Sequence, residues 1–153
     1  MVKEVADRDV ERALELVNAV FSEFVAVEYS EQGRATFEAY LQGKLEEVSA
    51  DLASGQKQMW AYYQEDEILG VIAMKDVSHI SLLFVDKRYH KKGIARQMLQ
   101  VVLEGLKERA DVTQITVNSS PYAVRAYECL GFVQTEEQQE RDGILFVPMR
   151  CLL

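Results

Sequence analysis

Three short extended segments, separated by polar turns of three or four residues, constrain the fold of this chain more than any other feature of its sequence. Residues 58–64, 68–74 and 79–85 are rich in aromatic, aliphatic and β-branched side chains, which are typical of strands. Turns this short join neighbouring antiparallel strands. The sequence therefore predicts a three-stranded antiparallel meander.

A helix and a further strand follow the meander. Beyond Gly93, apolar side chains recur at helical spacing up to Leu106, and residues 114–118 return to an extended pattern. A strand that reaches its neighbour through a helix lies parallel to it, in a right-handed crossover. We therefore predict an α/β fold with a central, mostly antiparallel sheet, a parallel pair at strands 79–85 and 114–118, and flanking helices.

Helical patterns precede the meander, and one more helix follows residues 114–118. An apolar stripe runs from Val10 to Val25, and a second one follows Gly33 up to the breakers at Ser54 and Gly55. Near the C-terminus, Ser120 is a candidate N-cap with a proline directly after it. We expect that helix to reach Leu130 and to end at Gly131, whose missing side chain suits a left-handed C-cap.

The C-terminal segment carries two extended pieces around a polar stretch. Residues 132–135 and 144–151 have strand character, and residues 136–142 consist of charged and amide side chains. We expect residues 136–142 to be a solvated turn. The last strand could also pair across a homodimer.

Composition and charge exclude several classes of protein. The chain has 153 residues, of which 48% are hydrophobic and 27% charged, which predicts a single domain over residues 1–153. Its formal net charge of −8 argues against a nucleic-acid partner, which requires a broad basic face. The longest apolar run, residues 68–74, is too short to span a membrane. We expect no export either, because the first nine residues lack an apolar signal core.

Two cysteines, Cys129 and Cys151, form neither a disulfide framework nor a zinc-binding spacing. A reducing, cytoplasmic location without a bound metal is the expectation that follows.

The segment between the third strand and the following helix is strongly basic. Residues 87–96 contain five of the 17 Lys and Arg residues and no acidic residue. A strand–turn–helix junction presents free N–H groups and the positive end of a helix dipole, and Gly93 and Ala95 allow a close approach to the backbone. These features favour a pyrophosphate site, although a solvated basic turn is the alternative. The chain contains neither G-x-x-x-x-G-K-[ST] nor G-x-G-x-x-G.

Two motifs resemble the GCN5-related N-acetyltransferase (GNAT) superfamily. Residues 90–95, HKKGIA, resemble its signature [Arg/Gln]-x-x-Gly-x-[Gly/Ala], and residues 123–132, AVRAYECLGF, resemble its later segment A-x-x-x-Y-x-x-L-G-F. The motifs occur in the family's order and within its succession of elements. The resemblance covers roughly residues 58–150, and the N-terminal helices correspond to the family's variable acceptor side.

The sequence departs from the family pattern at two positions. His90 replaces the first Arg or Gln of the signature, and Ser120 stands where the family often has Asn. Family ligands bind the signature mostly through backbone N–H groups, so a histidine there is tolerable. Asn118 is close enough in sequence to replace the missing Asn.

The resemblance implies an enzyme that transfers an acetyl group from acetyl-CoA to a primary amine of a small molecule. The family reaction is direct attack in a ternary complex, without an acyl-enzyme and without a metal. The residues that would bind acetyl-CoA are Leu83, Phe84, Val85, Lys91, Lys92, Gly93, Ile94, Ala95, Arg96, Asn118 and Ser120. Two alternatives remain open: acetylation of a protein or peptide N-terminus, and a CoA-binding module without turnover.

Tyr127 and His79 are the candidate catalytic residues. Tyr127 occupies the tyrosine position of the second motif and could protonate the leaving thiolate, since a phenol stays protonated at neutral pH. His79 lies eleven residues before the signature, where histone-acetylating relatives have a glutamate, and could accept the proton of the amine. The alternatives are core packing for Tyr127 and a structural hydrogen bond for His79. Period-two alternation predicts that His79, Ser81, Leu83 and Val85 share one face of the strand.

Overall fold

The structure is a computed structural model that describes residues 1–25, 30–39 and 57–153. Eight strands of these residues form a mixed sheet in the order β1-β2-β3-β4-β5-β8-β6, with β7 paired to β8. The strands are β1 Val2–Glu4, β2 Lys57–Gln64, β3 Glu67–Lys75, β4 His79–Val85, β5 Gln114–Ser119, β6 Val133–Gln134, β7 Gln139–Arg141 and β8 Ile144–Leu152.

The pairing of the strands confirms the predicted fold class. β2, β3 and β4 form the antiparallel meander, β4 and β5 are parallel, and β5 and β8 are antiparallel. The parallel neighbours are joined through a helix, as a right-handed crossover requires.

Four α-helices of the described residues flank the sheet: α1 Val10–Val20, α2 at residues 31–39, α3 Ile94–Leu106 and α4 Val124–Cys129. A π-helical turn, Phe21–Val25, extends α1, and short 3₁₀ turns precede α1 and α4. No helix within the described ranges is long and apolar enough to cross a membrane.

The two faces of the sheet carry separate hydrophobic cores. We call them the α1 face and the α3 face, after the helix that covers each. In β3, Val71 and Ala73 pack in the α1-face core while Ile72 and Met74 pack in the α3-face core, the alternation expected of a strand buried on both sides. Ile115 and Val117 of β5 also belong to the α3 face.

A β-bulge in β4 overturns one prediction about faces. Ala73 pairs with Leu82 and Met74 pairs with Ile80, so Ser81 is the extra residue, and its hydroxyl donates to the Ala73 carbonyl at 3.2 Å. Ile80 accordingly packs on the α3 face and Leu82 on the α1 face, although a regular strand would put both on one side.

His79 therefore does not share a face with Leu83 and Val85, contrary to the sequence prediction. Leu83 and Val85 pack against the α3-face core. His79 is hydrogen-bonded to Thr116, which alternates with the α3-face residues Ile115 and Val117 and so points to the α1 face. The bulge is the physical reason, because one extra residue reverses the alternation of everything beyond it.

Most predicted boundaries are confirmed, and one prediction near the C-terminus is wrong. Ser120 caps the turn before α4 by accepting from the Ala123 N–H, and Gly131 takes a left-handed φ of 100° after α4. Within residues 136–142, predicted as a turn, β7 pairs with β8. The second predicted helix is helical over residues 31–39, and its remainder, residues 40–56, lies outside the described residues.

β8 has partners on both sides, which bears on the expected homodimer. One edge pairs with β5, and the other pairs with β7 and β6 over residues 144–146 and 149–150. A second copy could use β8 as an edge strand only by displacing β6 or β7.

The turn between β7 and β8 contacts α2. Thr36 of α2 donates its hydroxyl to the Asp142 carbonyl at 2.9 Å. Gly143 has a φ of +81° and lies so close to the backbone of Gly33 that a Cβ would collide with it. Phe37 stacks on Phe21 with their ring centroids 3.8 Å apart. These contacts join α1, α2 and the C-terminal hairpin along one side of the sheet.

Candidate active site

β4 and β5 separate soon after they begin. Their parallel register pairs only His79 with Thr116 and Ile80 with Val117 among the described residues. Residues 81–85 of β4 thus have no backbone pairing with β5, and a strand edge of this kind can hydrogen-bond an extended ligand. We call this unpaired stretch the β4–β5 gap.

A loop with two left-handed residues follows β4 and opens α3. Lys91 has a φ of 63° and Gly93 a φ of 81°, and α3 begins at Ile94 without a side-chain cap. The N–H groups of the first turn of α3 therefore have no intrahelical acceptor, and the helix dipole adds partial positive charge there. Apart from Gly93 and its two chain neighbours, no atom of the described residues lies within 4 Å of the position that a Cβ of Gly93 would take, so a ligand can approach this turn closely.

His90, the departure from the signature, anchors this loop. Its Nε2 lies 2.7 Å from the Val85 carbonyl, and since a carbonyl can only accept, Nε2 carries the proton. Asp86 supports the same loop by accepting from the N–H and the guanidinium of Arg88. The hydrogen bonds from Arg88 hold the pKa of Asp86 below its usual value. Together these contacts fix the loop on the end of β4.

Three of the five cations in this segment are already engaged. Lys87 pairs with Glu23 at 3.0 Å, Arg88 pairs with Asp86 at 3.0 Å, and Arg96 donates to the Cys129 carbonyl at 2.8 Å. Lys91 and Lys92 form no ion pair within the described ranges. The positive charge left for an anionic ligand comes from these two lysines.

The other predicted cofactor residues differ in what they can offer. Ile94 is buried, and Leu83 and Phe84 pack against the α3-face and α1-face cores, so their backbone groups are what a ligand can use. Asn118 is exposed near the end of β5, whereas the hydroxyl of Ser120 caps the following turn.

Tyr127 lies in α4, on the α3 face of the sheet. Its side chain is 7% exposed, and its ring meets Phe132 edge to face, with the centroids 5.4 Å apart. Burial raises the pKa of its phenol above the ordinary value. No hydrogen bond joins its hydroxyl to residues 1–25, 30–39 or 57–153, and since no buried side-chain oxygen in those ranges lacks a partner, this hydroxyl reaches the protein surface. Tyr127 is thus a core residue whose polar group is left available.

His79 lies on the other face, beside the start of the gap. Its Nδ1 and the hydroxyl of Thr116 are 2.8 Å apart. Burial lowers the pKa of His79, and the nearby Lys75 lowers it further. Sequence reasoning missed Thr116 and the bulge at Ser81, because neither is visible before the register of β4 is known.

The arrangement separates two proton-handling groups by the sheet. His79 lies on the α1 face, Tyr127 lies on the α3 face, and the β4–β5 gap is the place where the sheet between the two faces is unpaired. A reacting group held in the gap could receive a nucleophile from one side and release a leaving group on the other. No cluster of three or more His, Cys, Asp or Glu side chains suited to a metal occurs in the described part of the chain.

Comparison with known proteins identifies the family. The model of the acetyltransferase (GNAT) domain matches residues 25–153. The chain belongs to the GNAT family. Its fold is similar to that of a GCN5-related N-acetyltransferase from Rhodopseudomonas palustris, with a TM-score of 0.79, 20% identity, and coverage of 100% of this chain and 95% of the other.

Two further relatives extend the comparison of this GNAT protein. The PaiA N-acetyltransferase from Thermoplasma acidophilum, solved in complex with coenzyme A, has a TM-score of 0.76 at 16% identity and covers 100% of this chain and 98% of its own. The UPF0157 protein YqkA of Bacillus subtilis is 26% identical over 104 residues, which are 66% of this chain. The match spans only 30% of the length of YqkA.

Proposed function

We propose that this GNAT protein transfers an acetyl group from acetyl-CoA to a primary amine of a small molecule, by direct attack in a ternary complex. Membership of an acetyltransferase family supports acyl transfer. The observation that carries the proposal is the β4–β5 gap, with His79 on one face and Tyr127 on the other.

The residues around the gap fit acetyl-CoA. The open turn at Gly93 suits a pyrophosphate, with the N–H groups of residues 94–96 as donors and Lys91 and Lys92 as counter-charges. The edge of β4 at residues 83–85, which β5 leaves unpaired, suits the amide groups of an extended chain, apart from the Val85 carbonyl, which already accepts from His90. Asn118 and Ser120 would border its thioester end. The similar PaiA structure contains coenzyme A, which supports this assignment.

Tyr127 would act as the general acid. A thiolate leaving on the α3 face needs a proton, and a buried phenol with a raised pKa keeps its proton at neutral pH. Its hydroxyl forms no hydrogen bond with the described residues and reaches the protein surface, where it can donate to a ligand. Core packing alone would not require a tyrosine in place of phenylalanine here.

His79 would act as the general base. An alkyl ammonium has a pKa of about 10 and an α-ammonium of about 8, so the acceptor must lose a proton before it attacks. The lowered pKa of His79 keeps its imidazole neutral at physiological pH and able to accept that proton, directly or through water. The hydrogen bond with Thr116 occupies Nδ1 of His79, so Nε2 is the nitrogen that would face the substrate amine.

Two alternatives share the fold. A protein or peptide N-terminus is also a primary amine, and the same two residues could serve it. A CoA-binding module without turnover is disfavoured by the available hydroxyl of Tyr127, for which mere binding has no use.

Thiol release from acetyl-CoA, followed with and without a panel of amines, tests the proposal. We expect release that depends on a small-molecule amine, with the N-acetyl product identified by mass spectrometry. Release only with peptides would favour the N-terminal alternative. Tight binding of CoA without release in any arm would favour the binding module.

A further inference from the structure

Arg96 connects two elements that the proposed reaction uses for different purposes. It lies in the first turn of α3, next to the proposed pyrophosphate site at Gly93, but its guanidinium contacts a different helix. Its Nη2 donates to the Cys129 carbonyl at 2.8 Å, and Cys129 is the last residue of α4. Tyr127 lies two residues earlier on the same helix.

The helix that carries Tyr127 needs such a contact. α4 has six residues, and a helix this short is not stable on its own. The carbonyls of Ala126, Tyr127 and Glu128 receive backbone N–H groups from residues 130–132. The Cys129 carbonyl instead receives Arg96, and a cation at this end also complements the helix dipole.

The contact also makes Arg96 a poor phosphate ligand. Its Nη2 is occupied by the Cys129 carbonyl at the end of α4, whereas Lys91 and Lys92 form no ion pair among the described residues. Arg96 and the two lysines should therefore differ in function although they share one basic segment.

We propose that Arg96 is a positioning residue for the general acid. By attaching the end of α4 to the first turn of α3, it holds the Tyr127 hydroxyl at a fixed distance from the thiol that α3 and the β4 edge position. This inference rests on the proposed function, because it assumes that Tyr127 protonates the leaving thiolate.

Steady-state kinetics of Arg96→Met, which keeps the apolar stem and removes the donors, test the proposal. We expect kcat to fall by about 10- to 100-fold, since small displacements of a catalytic group have effects of this size. The KM for acetyl-CoA and the Kd for CoA should change by less than about twofold. Arg96→Lys, which can still donate one hydrogen bond, should recover part of kcat.

Two controls separate positioning from other roles. Arg125→Met removes an exposed arginine of α4 itself and should leave kcat unchanged. In the double variant Arg96→Met/Tyr127→Phe, the loss of kcat should equal that of Tyr127→Phe alone. Once the hydroxyl of Tyr127 has been removed, its position no longer affects the rate. Amide hydrogen exchange over residues 124–130 should be faster in Arg96→Met than in Arg125→Met.

The contrary results are distinct. A raised KM with unchanged kcat would make Arg96 a phosphate ligand, and additive losses in the double variant would show that it acts independently of Tyr127. Either result overturns the inference and leaves the acetyltransferase proposal intact. Absence of acetyl transfer by the wild-type protein would instead refute the proposed function.

Discussion

Tyr127 combines tight packing with a polar group that the surrounding protein does not use. Because Phe132 contacts its ring, and its hydroxyl reaches the surface without a hydrogen bond to the described residues, Tyr127→Phe should preserve the core. We expect kcat to fall by about 10²-fold or more, the usual range for loss of a general acid. The KM for acetyl-CoA and the melting temperature should change little. An unchanged kcat would leave Tyr127 as a packing residue only.

His79 makes a prediction about pH. It can accept a proton only when neutral, and its pKa lies below the ordinary 6.5 because of burial and Lys75. Below that pKa both His79 and the amine are protonated, and loss of the one proton on His79 lets it deprotonate the bound ammonium, so log kcat/KM should rise with slope one. Between that pKa and the pKa of the amine, neutral His79 takes the proton of the ammonium, and the profile should be flat.

The control for the pH profile is His79→Ala, in which only amine already deprotonated in solution reacts, so slope one should continue up to the pKa of the amine. A wild-type profile that also keeps slope one up to the pKa of the amine would exclude His79 as the base.

At the residue level, the sequence was sufficient to place Tyr127 in a helix that ends before Gly131, and insufficient to place His79 on its face of the sheet. Tyr127 follows from its spacing to Leu130 and Gly131 in a recognisable motif. The face of His79 could not be predicted, because alternation fails at a bulge, and the extra residue Ser81 is an ordinary strand residue. Thr116 becomes its partner only through the parallel register.

Among the elements, the loop between β4 and α3 carries the prediction about cofactor binding. Gly93→Glu places a carboxylate where phosphates would lie, and calorimetry should detect no CoA binding. The fold should survive because a Cβ at this position meets no atom of the described residues within 4 Å, although a φ of 81° adds strain of about 1–2 kcal/mol.

Gly93→Ala separates strain from charge. It has the same backbone penalty without the carboxylate, and it should bind CoA more weakly than wild type but measurably. Equal affinities of wild type and Gly93→Glu would place the phosphates elsewhere.

Helices and strands with a hydrophobic pattern of their own could be predicted from the sequence. A strand that forms only because a neighbouring strand pairs with it could not. The meander, α3 and β5 follow from periodicity and turn lengths. β7 consists of exposed polar residues and is a strand only because β8 pairs with it. A local signal existed: Asp142 and Gly143 both have positive φ, and Asp-Gly is a typical two-residue hairpin turn.

For the whole molecule, the order of elements was enough to predict the topology but not the gap. A helical crossover between two strands makes them parallel neighbours. How far they stay paired depends on the twist of each strand and on the bulge in β4, which pattern arguments do not include. The feature that carries the proposed chemistry is therefore the one that the sequence could not supply.

The charge of the whole molecule leads to a prediction about association with CoA. The protein has 17 basic and 25 acidic residues, and CoA is a polyanion, so the two repel each other at long range. Lys91 and Lys92 attract it only nearby. The Debye length is about 30 Å at 0.01 M salt and about 8 Å at 0.15 M. Added salt should therefore first remove the distant repulsion and only later weaken the local attraction.

We accordingly expect the association rate of CoA, measured by stopped flow, to pass through a maximum as salt rises from about 0.01 M to about 1 M. In Lys91→Gln/Lys92→Gln the falling part of the curve should disappear, because the local attraction is lost while the distant repulsion remains. Lys87→Gln is the matched control, since Glu23 already neutralises that lysine, and the maximum should persist. A wild-type rate that falls steadily from the lowest salt would mean that the basic loop outweighs the net charge at every distance.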